Sequence, residues 1–313
     1  MPNLRHLLFA ALAALVVFLP PASRAQALAY VISDHTTGTI LESSNPQKKL
    51  QIASLTKIAT AMVTLDWIAS TQTDLSELAV VPASAQALGS TNGVGFQTGD
   101  SCSLRDLLYA ALMQSDNQAS ETLAAHVGRG LSTNGKMEPV ASFVAQMNAL
   151  ARRLGMIKTR FLNAHGLDTL ERSLPYSTAE DLAKLTAYAM ANSAFRFHVS
   201  QEERKITLQT ANGETNYLLK NTNELLGRDA IDGVKTGTTK KAGQCLILSA
   251  ARKPESRLEG ETHIITPRRV NVVILASEGD RFALGAQLMT RAWQRHEQWV
   301  AAGRPVPKAK KSR

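Results

Sequence analysis

QIASLTKIATAM, residues 51–62, holds a serine and a lysine at the start of an apolar periodic segment. Leu55, Ile58, Ala61, Met62, Leu65 and Ile68 recur at helical spacing, which predicts a helix from Ser54 to about Ala69 with one side buried. A serine at such a start is ordinarily an N-cap, and a lysine one turn on is ordinarily a solvated charge. Ser54 and Lys57 are three positions apart, however, so on a helix they are neighbours. A serine hydroxyl is a weak nucleophile until a base lies within hydrogen-bond reach. A lysine serves as that base only when burial or a nearby cation depresses its pKa. Nucleophile and base therefore stand against cap and surface charge, and the pair alone does not decide between them.

Two other stretches bear on the choice. Leu104, Leu107, Leu108, Ala111 and Leu112 mark a helix that stops near Gln114, and a second helix carrying Leu123, Ala124 and Val127 begins around Asn117. Gln114-Ser115-Asp116-Asn117 lies at the break, where short polar side chains either cap the next helix or face a cleft. In a cleft Ser115 relays protons, while Asn117 holds Lys57 or a substrate amide. Ser43-Ser44-Asn45 and Ser90-Thr91-Asn92 compete for that place. Farther on, Asp232-Gly233-Val234-Lys235-Thr236-Gly237-Thr238-Thr239 reads as a strand at a sheet edge, where an extended substrate pairs its backbone. Gly237 permits close approach, and Lys235 supplies a cation that binds a carboxylate and depresses the pKa of Lys57. The alternative is a solvated edge lysine. Ser-x-x-Lys, Ser-Asp-Asn and Lys-Thr-Gly in this order form the active-serine set of penicillin-binding proteins and class A β-lactamases. Taken together they favour Ser54 as nucleophile over cap.

The remaining chain reads as α+β. Tyr30–Ile32 and Thr39–Leu41 flank a turn and predict a hairpin. Phe143, Met147, Leu150, Ala151 and Leu154 predict a helix ended by Gly155, and Ser177-Thr178-Ala179-Glu180 has the form of a capping box opening a helix with Leu182, Leu185 and Met190. After residue 200 come strands at 205–209, 233–238, 245–250 and 270–276, then a helix from about Arg281 to Val300. At the front, a basic start, an apolar run from Leu7 to Leu19 and the small-residue site Ala25-Gln26-Ala27 have the order of a secretory signal. We therefore expect a signal over residues 1–27, one catalytic domain over 28–302 and a basic tail over 303–313, in a protein exported to the periplasm or cell-wall space.

Thirty-five basic residues against 26 acidic give a net charge of +9, and Lys308, Lys310, Lys311 and Arg313 crowd the tail. In an exported protein this suggests peripheral contact with anionic wall polymer or lipid headgroups, with a solvated, frayed terminus as the plainer reading. No zinc-knuckle spacing or RNA-binding signature supports a nucleic-acid partner. Cys102 and Cys245 are the only cysteines. Export permits a disulfide, but Cys245 lies in the apolar run Cys245-Leu246-Ile247-Leu248, which reads as a buried free thiol. With no flanking histidines, no metal site is expected, nor any other cofactor.

From about Ala29 to Val300 the chain resembles the low-molecular-mass D-alanyl-D-alanine carboxypeptidases of serine peptidase family S11. The resemblance rests on ASLTKIATAM, DLLYAALM, MNALARRLGM, NAHGLD, YSTAEDLAKL, NTNELL and DGVKTGTTKKAGQCL. It implies a β-lactamase/DD-peptidase-like fold, with a five-stranded, largely antiparallel sheet flanked by helices, an all-helical lobe, and the active site between them. It further implies that Ser54 attacks the penultimate D-Ala carbonyl of peptidoglycan stem peptides, with Lys57 as base and Ser115 passing a proton to the leaving amine. Asn117 would orient Lys57 and substrate, and Lys235, Thr236 and Thr238 would hold the terminal carboxylate beside Gly237. The N–H groups of Ser54 and Thr238 would form the oxyanion hole, and β-lactam antibiotics would be covalent inhibitors. His165, in the NAHGLD block, reads as structural. Asp116 stands where many members have glycine, Lys253–Arg268 is longer than a tight hairpin, and no second β-rich domain or amphipathic anchor is read at the end. This compact form resembles the muropeptide endopeptidases of the family, so D,D-endopeptidase activity is the alternative. A class A β-lactamase would need a deacylating glutamate; Glu171-Arg172-Ser173-Leu174-Pro175 comes near but ends in proline. A silent wall-binding module has no reason to keep Ser54, Lys57 and Lys235 together.

Overall fold

Residues 26–88, 93–132, 137–168, 174–259 and 262–305 are described by the computed structural model. The expected signal as far as Ala25, Ser90-Thr91-Asn92, Glu171 and the tail from residue 306 lie outside them. The predicted hairpin is formed by β1 (Gln26–Asp34) and β2 (Ile40–Ser44), paired antiparallel. Its turn is held by the Asp34 carboxylate, which accepts from the Thr37 N–H and hydroxyl at 2.8 Å each. A short 3-10 turn, Ala53–Leu55, leads into α1 (Thr56–Thr71), so Ser54 sits just ahead of the helix rather than inside it. Every residue of α1 from Thr56 to Leu65 is buried, as expected of a helix with small or apolar residues on all sides.

Then follow β3 (Leu78–Val80), α2 (Ala83–Ala87), β4 (Ser101–Ser103), α3 (Leu104–Leu112), α4 (Asn117–Leu131), α5 (Pro139–Arg153), α6 (Ala179–Ala191) and α7 (Ser193–Val199). The C-terminal third holds β5 (Glu203–Thr210), β6 (Gly213–Lys220), β7 (Ile231–Thr239), β8 (Gly243–Glu259), β9 (Thr262–Glu278) and α8 (Arg281–Ala301). The α6 cap falls one residue later than the expected box: Thr178 Oγ1 accepts from the Asp181 N–H at 3.1 Å. The Asp181 carboxylate turns instead to the Lys158 N–H and the Thr159 hydroxyl.

The large sheet has the order β2-β1-β9-β8-β7, with all neighbours antiparallel. Strand alternation divides its side chains between two cores. Leu246, Leu248, Val272 and Ile274 pack under α8 with Leu288, Met289 and Trp293. Ala29, Val31, Ile247 and Val273 face α1 and the helical lobe. That lobe is not all-helical as expected, because a second antiparallel sheet, β3-β4-β5-β6, belongs to it. Cys102 on β4 and Cys245 on β8 are free thiols, both buried.

The long Lys253–Arg268 stretch also has a structural explanation. β8 and β9 run 17 residues each, yet β7 pairs with β8 only as far as Ala250, and β1 with β9 only from Val270. Beyond the Ala250–Val270 pair the two strands continue alone as a two-stranded arm.

Candidate active site

The residues around Ser54 are held by a tight backbone crossing. Ala53 takes a left-handed φ of +47°, a strained conformation for a residue with a side chain. The loop carrying Asn163–Asp168 packs directly on this turn. A Cβ added to Gly166, whose φ is +83°, would lie 1.9 Å from the Ala53 carbonyl oxygen, so only glycine fits. On the other side, a Cβ on Gly237 of β7 would sit 3.1 Å from the Ile52 carbonyl oxygen and 3.2 Å from the Ser54 nitrogen. The Lys-Thr-Gly strand therefore runs close against the serine turn.

Lys57 has no solvent-exposed surface. Its Nζ lies 2.9 Å from Ser54 Oγ, 2.7 Å from Asn117 Oδ1 and 2.7 Å from the His165 carbonyl oxygen. Burial lowers its pKa from the ordinary lysine range to about 7, with the Asp116 carboxylate opposing. A neutral amine has two N–H donors and one lone pair. Asn117 Oδ1 and the His165 carbonyl only accept, so they take the two hydrogens and leave the lone pair facing the Ser54 hydroxyl. His165 serves here through its backbone. Its ring Nδ1 accepts from the Leu167 N–H at 3.1 Å, and burial, with Lys57 nearby, pushes the imidazole pKa down to about 3.

Ser115 sits between α3 and α4 with a left-handed φ of +66°. Asp116 is the cap of α4, accepting from the Ala119 N–H at 2.8 Å, and Asn117 opens that helix beside Lys57. Ser43-Ser44-Asn45 is excluded by topology, since β2 is the edge of the large sheet opposite β7. Thr222 ties the parts together: its N–H donates to the Met113 carbonyl, and its hydroxyl lies 2.7 Å from that of Thr236.

A cleft of about 610 Å³ opens onto these groups, lined by Ser54, Ser115, Asp168, Thr236, Thr238 and Arg281 among others. Lys57, Asn117 and Lys235 stand behind its wall. Lys235 is not a solvated edge lysine; it is 1% exposed, and its Nζ donates to the Thr236 carbonyl at 3.1 Å. Burial, then repulsion from Lys57 and Arg281, lowers its pKa well below the usual range. The depression of Lys57 that we expected from Lys235 comes from burial instead, and the repulsion between the two amines is felt at Lys235.

Sequence reasoning missed Arg281 and the carboxylate role of Asp168. Arg281 opens α8 and donates to the Gly237 carbonyl at 3.0 Å and to Thr238 Oγ1 at 2.7 Å, which places a guanidinium at the cleft. Nothing local marks it, because only the docking of α8 brings it to β7. Asp168 accepts from Thr239 Oγ1 at 2.9 Å and joins the Gly166 loop to the end of β7.

Comparison with known proteins agrees with this geometry. The Peptidase S11 family profile, described as D-alanyl-D-alanine carboxypeptidase, matches residues 17–259. The chain is 29% identical over 277 residues to the D-alanyl-D-alanine carboxypeptidase DacC of Escherichia coli, covering 87% of this chain and 62% of that relative. It thus spans about three fifths of that protein's length. It is 30% identical over 286 residues to the D-alanyl-D-alanine endopeptidase of Escherichia coli, covering 89% of this chain and 79% of the relative. The crystal structure of the Streptomyces K15 DD-transpeptidase superposes with a TM-score of 0.72 at 27% identity, covering 86% of this chain and 97% of that one. With its serine–lysine pair seated against the Lys-Thr-Gly strand and the family profile matched over most of its length, the chain belongs to the Peptidase S11 family.

Proposed function

We propose that the protein is a serine-type D-alanyl-D-alanine carboxypeptidase acting on peptidoglycan stem peptides through an acyl-enzyme on Ser54. The Ser54–Lys57 contact of 2.9 Å, with the other two acceptors of Lys57 fixed, is the observation that carries the proposal. Ser54 Oγ attacks the carbonyl carbon of the penultimate D-Ala while Lys57 Nζ takes the hydroxyl proton. The C–N bond to the terminal D-Ala then breaks, and the leaving nitrogen receives a proton by way of Ser115. Water hydrolyses the ester in a second round of the same proton traffic. The N–H groups of Ser54 and Thr238 hold the developing oxyanion. Asn117 keeps Lys57 in place. The Thr236 and Thr238 hydroxyls and the Arg281 guanidinium hold the terminal carboxylate, with the buried Lys235 amine behind them, and Gly237 lets the substrate backbone lie close to β7. β-Lactams would acylate the same serine and remain attached.

The reaction belongs in the cell envelope, so the expected division is an export signal over residues 1–27, the catalytic domain over 28–302 and a basic tail over 303–313 in peripheral contact with anionic wall or membrane. Because Gln26 and Ala27 already pair with Glu278 and Ser277 in the large sheet, the signal boundary falls nearer residue 25. The second reading, D,D-endopeptidase, is favoured by the fuller coverage of the endopeptidase relative. Mass spectrometry of purified muropeptides incubated with the protein and with Ser54→Ala separates the two. Loss of one alanine from monomeric pentapeptides is the expected result. Conversion of crosslinked dimers to monomers would make the protein an endopeptidase, and identical digestion by Ser54→Ala would refute the serine mechanism.

A further inference from the structure

A second cavity, of about 790 Å³, is distinct from the Ser54 cleft. It lies where the β8–β9 arm leaves the large sheet and passes over α6 and α7. Its apolar wall includes Met190 of α6 and Ile265 and Pro267 of the arm, and Ile265 is 65% exposed. Its other wall is basic, with Arg196, Arg252, Arg268 and Arg269 beside the ring of His35. The arginines differ in how they are neutralised. Arg269 is held by both oxygens of Asp232 at 2.7 Å. Arg196 donates through Nη1 to the Met190 carbonyl, and no carboxylate pairs with it among the described residues. Burial, reinforced by the charges of Arg269 and Arg196 and opposed by Asp34 and Asp232, lowers the pKa of His35, consistent with a locally positive field. A half-open apolar hollow with one unneutralised guanidinium suits an aliphatic ligand that ends in a carboxylate.

We propose that this cavity is a second binding site for the carboxylate end of a short aliphatic peptide, with Arg196 anchoring the carboxylate and Met190, Ile265 and Pro267 receiving the methyl side chains. The choice of a D-Ala-D-Ala terminus as ligand rests on the proposed function, whereas the site itself does not. Met190 also ties the cavity to β7, since a Cβ on Gly233, two residues before Lys235, would lie 3.8 Å from its Cε. The cavity and the Ser54 cleft thus abut opposite ends of one strand.

The test uses protein whose Ser54 has been acylated by penicillin, checked by intact mass, so that the cleft is filled. Calorimetric titration with an N-acetylated tripeptide ending in D-Ala-D-Ala should show one remaining site. Its affinity should fall roughly tenfold for the C-terminal amide of the same peptide and roughly tenfold for Arg196→Ala. Ile265→Glu should weaken it likewise by placing a negative charge at the mouth. An unchanged penicillin acylation rate in both variants establishes that they are folded. Absence of binding to the acylated protein, or binding indifferent to the carboxylate and to Arg196, would overturn the proposal. If penicillin leaves Ser54 unmodified, the proposed function fails, and titration of that protein still decides the second site through its dependence on Arg196.

Discussion

At Lys57, three oxygen atoms converge on one nitrogen, and the protonation state decides which way the Ser54 hydrogen bond runs. Protonated, the ammonium donates to Ser54 and blocks it; neutral, the amine accepts from it. With the lysine pKa lowered to about 7, the rate of Ser54 acylation by penicillin should rise about fivefold from pH 6 to pH 7, about tenfold from pH 6 to pH 8, and level off above that. A flat profile across that range would remove Lys57 as the base. Stability shifts in the same direction. The unfolded lysine titrates near 10.5 and the folded one near 7, so between those values the unfolded chain holds the extra proton and stability rises with pH. Below about pH 7 both forms are protonated and this contribution stops changing. Ser54, Lys57, Ser115, Asn117 and the Lys235–Thr238 strand were legible because three short motifs stand in a fixed order. The His165 carbonyl was not, since every residue has one, and Arg281 was not, because its position depends on helix docking.

Among the elements, the loop that delivers the His165 carbonyl depends on one glycine. Gly166→Ala would drive a methyl group to 1.9 Å from the Ala53 oxygen, whereas Gly155, at φ +66°, has nothing within 4 Å of its added Cβ. Gly155→Ala should therefore cost only the left-handed backbone penalty, about 1–2 kcal/mol by chemical denaturation. Gly166→Ala should cost about 3–4 kcal/mol and slow penicillin acylation at least tenfold, because the Ala53–Ser54 turn and the acceptor for Lys57 move together. Similar losses in both variants would mean that the packing of this loop does not set the site. The long periodic helices α1, α3, α4, α5, α6 and α8 were readable from spacing. Strands β3 and β4, of three residues each, are too short to show a period. β6 escaped because it is mostly exposed, with Leu219 its one buried residue. The continuation of β8 and β9 past the sheet was visible only as excess length, because a solvated ribbon needs no alternating core residues.

Over the whole molecule, the two sheets share one core: Cys102 of the small sheet and Cys245 of the large one belong to the same buried cluster. No helix among the described residues is long and apolar enough to cross a membrane. The α+β class followed from the order of strands and helices, whereas the five-stranded sheet came from the family resemblance. The small sheet within the helical lobe did not, because its pairing of β4 with β5 joins segments about a hundred residues apart. The two thiols have a practical consequence. Burial pushes the Cys102 pKa up to about 12 and that of Cys245 up to about 11, so at neutral pH neither is a reactive thiolate, and both are closed to reagents until the chain opens. In mild denaturant, alkylation followed by peptide mass spectrometry should label both at one common rate, as a single cooperative unit requires. Earlier labelling of Cys102 would mean that the lobes come apart before the sheet does. The protein thus carries two natural clocks of its own unfolding, one in each sheet, and since neither sulfur is tied to the other, both should keep the same time with or without a reductant.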